Sequence, residues 1–148
     1  MNPSLQAELD HALTAAVEEM RLAVGQLMDA LHAERTALET ADVDTLNQAG
    51  ASKHELMLRL EQLDSERVQL SQGAPEASRA LAPKWQEVLQ SLRACQQLNQ
   101  RNGTLVGIRL QQVRKALAVL TGNETEASVY GRAGDLRTSL RSQTLAEA

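Results

Sequence analysis

Two residue pairs in the N-terminal third have the spacing of metal ligands. Glu8-x-x-His11 and Asp29-x-x-His32 each put a carboxylate and an imidazole on one face of a helix. Di-iron bundles draw such pairs from two different helices and add a lone Glu from each of two others. Here both pairs fall on a single expected helix, too far apart to share an ion, and His54-Glu55 on the next helix does not complete a set. The single Cys95 can form neither an internal disulfide nor a thiolate-rich zinc site. It falls on an apolar seam, where cysteine serves as a small hydrophobe, and no histidine lies near it in sequence. Neither of the common glycine-rich phosphate motifs occurs. The reading is a chain that is not an enzyme, with no catalytic residues, no metal and no cofactor.

The remaining polar candidates interrupt apolar seams: Glu34, Lys53, Arg67, Asn99 and Asn102. A hairpin turning near Asp42 sets Leu38 opposite Leu46 and Leu31 opposite Lys53. Glu34, one turn from Leu31, can then pair with Lys53 across the seam. Arg67 comes opposite Val17, within reach of Glu18. Asn99 and Asn102 can bond across the bundle. Such residues fix register at a cost in stability, so we read them as structural rather than as a pocket.

The elements that position these groups follow from composition and spacing. A length of 148 residues suits one domain. Hydrophobic residues make up 43% and aromatics 1%, with no Phe, so the core must be aliphatic. That disfavours a β-sandwich and an aromatic platform for single-stranded nucleic acid. The net charge of −4 argues against nucleic acid as the main partner. The N-terminus has no signal-peptide pattern, and no apolar run approaches the roughly 18 residues of a membrane span. We therefore expect a cytoplasmic protein without stable membrane insertion, its cysteine reduced.

Apolar residues step by four and three through Leu13, Val17, Met20, Val24, Leu27, Leu31 and Leu38, and predict a helix over 4–40. A second seam, Leu46, Ala49, Lys53, Leu56, Leu60, Leu63, Arg67 and Leu70, predicts a helix over 43–72. Asp42 is its expected N-cap and Gly73 its C-terminal glycine, with Pro75 beyond; Gly73 to Ser78 reads as a loop. A third seam from Trp85 and Val88 to Val113, Ala116 and Leu120 predicts a helix over 79–121, about 60 Å long. Its phase runs unbroken through Gly103 and Gly107, which favours one helix over a turn at Asn102-Gly103. Longer than its neighbours, this helix should project past them and leave Val113, Leu117 and Leu120 thinly covered.

Residues 122–148 differ: Gly122, Gly131 and Gly134 weaken any helix, and Val129, Ala133, Leu136 and Leu140 step only weakly. This segment either frays or orders against a partner. The expected fold is an all-α antiparallel bundle of three long helices with coiled-coil-like seams (1–121), followed by a weakly structured, partner-binding C-terminal tail (122–148).

Four stretches carry a resemblance over nearly the whole chain. The first is Glu34-Arg35-x-Ala37-Leu38-x-x-x-Asp42-x-x-x-Leu46, leading to Lys53-x-x-Leu56. The second is Leu60-x-x-Leu63-x-x-x-Arg67. The third is Asn99-x-x-Asn102-Gly103-x-Leu105, followed by the Val113 to Leu120 stripe and Thr121-Gly122. The last is Tyr130-Gly131-x-x-Gly134. In their order and spacing the chain resembles the FlgN-type flagellar export chaperones. The resemblance implies an all-helical cytoplasmic chaperone of type III flagellar export. Such proteins bind the C-terminal helical regions of hook–filament junction proteins, prevent their premature assembly and deliver them to the export apparatus. It implies a cargo-binding region on Val113, Leu117, Leu120, Val129, Leu136 and Leu140, and matches Tyr130 to a tail tyrosine linked to export-gate docking. We expect a monomer; the alternative is a structural coiled-coil protein that forms a constitutive dimer.

Overall fold

The chain starts its first helix with a proline and a side-chain cap. Pro3 lacks the N–H that a first turn leaves unpaired, and Asn2 Oδ1 accepts from the Ser4 N–H at 3.1 Å. In the computed structural model, which describes residues 2–122, α1 then runs over Pro3–Thr40. It stops at Ala41, which takes a left-handed conformation (φ 55°) while its N–H bonds to Ala37 O. Asp42 caps α2 (Val43–Gly73), accepting from the Thr45 backbone at 3.1 Å and the Thr45 hydroxyl at 2.7 Å. Those bonds hold its carboxyl below the usual range.

The expected loop from Gly73 to Ser78 is instead mostly helical. Gly73 ends α2, Ala74 is the capping residue, and a short helix, α3, spans Pro75–Ala80. Pro75 blocks the continuation of α2 but is preset for the first turn of a new helix. The residues after it, Glu76, Ala77, Ser78, Arg79 and Ala80, contain no further breaker, with an acid in the first turn and a base in the last. Ala74 is fully buried against Leu13 and Val17. α4 (Ala82–Thr121) follows, separated from α3 by Leu81 alone. The architecture is three long helices plus one short one, with no strand among the described residues. α4 is continuous through Gly103 and Gly107.

α1 is the central helix and packs against both α2 and α4. Its core positions are aliphatic: Met20, Val24, Leu27 and Leu31 meet Leu60 and Leu63 of α2 and Val88 and Cys95 of α4. Burying each such side chain contributes about 1.5–3 kcal/mol. The chain goes up, down and up, so α4 lies parallel to α1. Cross-helix bonds show its register: Val24 to Cys95, Leu31 to Asn102 and Glu39 to Arg109 span 71, 71 and 70 positions. A constant offset of that size aligns the end of α1 with Leu110. The last eleven residues of α4 therefore outrun α1, by about 16 Å at the rise of a helix.

Cys95 is fully buried, and desolvation pushes its thiol up from 9.0 to about 11. The thiolate is the reactive form. A disulfide-exchange reagent at mildly alkaline pH should react slowly with the folded chain and at once in urea. Fast stoichiometric reaction of the folded chain would contradict this packing.

Candidate partner-binding surface

Four of the five polar seam residues, Glu34, Lys53, Asn99 and Asn102, converge at one level of the bundle. Lys53 Nζ donates to Glu34 Oε2 at 2.9 Å and to Asn99 Oδ1 at 3.0 Å. Asn102 Nδ2 donates to Glu34 Oε1 at 3.0 Å and to Leu31 O at 2.9 Å. Glu34, Asn99 and Asn102 are buried, and Lys53 is half-buried. The cluster thus ties all three long helices together through one carboxylate. Asn102 Oδ1 has no partner. Flipping the amide would not help, because the oxygen would then face Leu31 O and Glu34 Oε1, both acceptors.

Arg67 does not reach Glu18. It pairs with Asp64 at 2.9 Å, one turn back on its own helix, and its guanidinium lies 3.8 Å from the centroid of the Trp85 ring. A local carboxylate and an aromatic face outcompete a longer reach across the seam. Glu18 is taken by Arg21 at 2.6 Å. His11 and His32 are both exposed, and no group of three or more ligand-type residues among those described could hold a metal ion.

Past the polar cluster, towards the α1–α2 turn, the surface turns apolar. The end of the hairpin contributes Ala37, Leu38, Val43 and Leu46, and α4 contributes Arg109, Val113 and Ala116, around a groove of about 460 Å³. Arg109 Nη2 donates to Glu39 O at 3.2 Å and so covers an unpaired carbonyl at the end of α1. A comparably large groove along α1 and α2 is edged by Gln26, Asp29, Gln48, Ser52 and Glu55 and is far more polar.

The overhang of α4 leaves large apolar side chains in water. Val113 is 55% exposed, and Leu120 and Val119 are both 82% exposed; Leu117 is half-buried. Ile108 and Leu110 are exposed as well. Leu110, Val113, Leu117 and Leu120 share one stripe of the helix, and Ile108 and Val119 lie off it. Ile108 and Val119 escaped the sequence reading because they lie off the seam phase. The hairpin half of the groove escaped it because only the fold brings Leu38 and Val43 beside Val113. Val129, Tyr130, Leu136 and Leu140 lie outside the described residues.

Among the described residues no helix is long and apolar enough to cross a membrane. A family model described as FlgN protein matches residues 1–138 of the chain. Comparisons with curated proteins and with solved structures find no match.

Proposed function

Since this chain belongs to the FlgN family of flagellar type III export chaperones, we propose that it binds the C-terminal helical regions of hook–filament junction proteins. It holds them in the cytoplasm, prevents their premature assembly and delivers them to the export apparatus. The supporting observation is the overhang of α4. Val113 and Leu120 are presented to solvent beside an apolar groove with no covering element among the described residues. A helix-in-groove partner uses such a surface.

The cargo surface in this reading comprises Val113, Leu117 and Leu120 of α4 together with Val129, Leu136 and Leu140 of the C-terminal segment. Tyr130 in the same segment docks on the export gate. The chaperone acts as a monomer, because the first two seams satisfy each other within one chain. A cargo helix burying roughly 1,000 Å² must offset about 2–5 kcal/mol of ordering. The resulting modest affinity suits a carrier that releases its load.

Calorimetric titration with a junction protein's C-terminal segment tests the assignment. The full chain should bind it one to one. A chain ending at Gly122 should bind at least about tenfold more weakly, through loss of part of the apolar contact. Equal binding by both would move the cargo site entirely onto the helices. No binding by either, across the junction proteins, would overturn the assignment.

A further inference from the structure

The charge along α4 says what kind of helix its surface accepts. From Val88 to Thr121 the helix carries five basic side chains, Arg93, Arg101, Arg109, Arg114 and Lys115, and no acidic one, in a chain of net charge −4. Among the described residues none of the five forms an ion pair. α1 has the opposite balance, seven acidic side chains against two basic. The paired carboxylates of α1 meet Arg21, Arg35, Lys53 and Arg59, none of them on α4. Arg109 stands beside the end of α1, and Arg114 and Lys115 lie past it.

The end of α4 thus combines basic side chains that form no ion pair among the described residues with exposed apolar ones. At about 3.6 residues per turn, Leu110, Val113, Leu117 and Leu120 share one stripe, with Arg109 at one border and Arg114 at the other. The groove also holds one carboxylate, Asp42, which caps α2 through its bonds to Thr45. We infer that this surface takes an amphipathic protein helix whose apolar face is bordered by acidic side chains. Its apolar residues enter the groove between α4 and the α1–α2 turn, and its carboxylates meet Arg109 and Arg114. The groove is concave, with Leu38 recessed at its floor. A helix ridge can enter it; the surface of a bilayer cannot.

The inference rests on the chaperone reading for its biological meaning, yet it is testable without cargo. The probes are three designed helical peptides of one length with the same Leu stripe, bordered by Glu, Gln or Lys. The full chain should bind the Glu peptide at least about tenfold more tightly than the Gln peptide, and raising salt from about 0.05 to about 0.5 M should erase most of that difference. Arg109→Glu with Arg114→Glu should weaken Glu-peptide binding about tenfold and improve binding of the Lys peptide. Lys84→Glu with Arg93→Glu, matched in net charge but remote from the groove, should change neither. Equal binding of the Glu and Gln peptides would overturn the proposal, as would equal effects of the two double variants. Tighter binding to phosphatidylserine vesicles than to the Glu peptide would overturn it in favour of a lipid surface. If the Glu peptide binds as expected while junction-protein segments do not, the cargo assignment falls and the preference for an acidic helix stands.

Discussion

Glu34→Leu should lower the stability of the bundle by about 2–3 kcal/mol, read as a lower midpoint in urea unfolding with an unchanged slope. Glu34 accepts from Lys53 and from Asn102, so the substitution strands two donors at once. Removing one partner of a buried pair commonly costs about 3–5 kcal/mol, because the other is left uncompensated. The lower figure applies here because the Lys53 side chain keeps 25% of its exposure and retains Asn99. Lys53→Met acts in the same direction. Replacing the whole cluster with apolar residues should cost far less than either single change. An unchanged midpoint for Glu34→Leu would mean that the cluster contributes nothing to holding the three helices in register.

Val113→Glu combined with Leu120→Glu should weaken cargo binding about a hundredfold and leave the urea midpoint where it is. The two side chains are 55% and 82% exposed, so the folded chain loses almost no packing when they change. A complex that buries them loses about 1.5–3 kcal/mol for each, and each new carboxylate would be desolvated beside the acidic borders of the bound helix. Stability and binding therefore separate at these positions. At Leu31 or Leu27, both fully buried, they would fall together. A double variant that binds cargo normally would exclude the overhang from the cargo site.

Much of the helical fold is legible in the order of residue types. Period-3.6 spacing from Leu13 to Leu38, and again from Leu46 to Leu70, can be satisfied only by helices that bury one face against each other. The Asp42 cap is readable for the same local reason: a short acceptor stands three residues before Thr45, whose backbone and hydroxyl it binds. What fails is the competition between equally plausible local outcomes. Gly73 and Pro75 read as a loop, yet Pro75 suits the start of a helix as well as it suits a stop, and the burial of Ala74 settles the contest. Arg67 shows the same limit. Register alone sets it within reach of Glu18, but in the fold it pairs with Asp64 and lies over Trp85, and Glu18 pairs with Arg21.

The candidate surface was legible in half. Seam spacing pointed to Val113, Leu117 and Leu120, because a helix that outlasts its neighbours must expose part of its seam. The other wall of the groove, Leu38, Val43 and Leu46, belongs to the hairpin. It meets α4 only through the parallel register set by Val24 with Cys95 and Leu31 with Asn102. No spacing within one helix encodes that offset.

Site-specific photo-crosslinking tests the central claim most directly. A benzophenone side chain placed singly at Val113, Leu120, Leu22 or Leu58 of the full chain would be irradiated with the C-terminal segment of a hook–filament junction protein. All four positions are more than half exposed, so each can carry the probe without disturbing the core. Capture at Val113 and Leu120, and none at Leu22 or Leu58, is the predicted result. Capture at Leu22 or Leu58 with none at the end of α4 would contradict it and place the cargo on the α1–α2 hairpin instead.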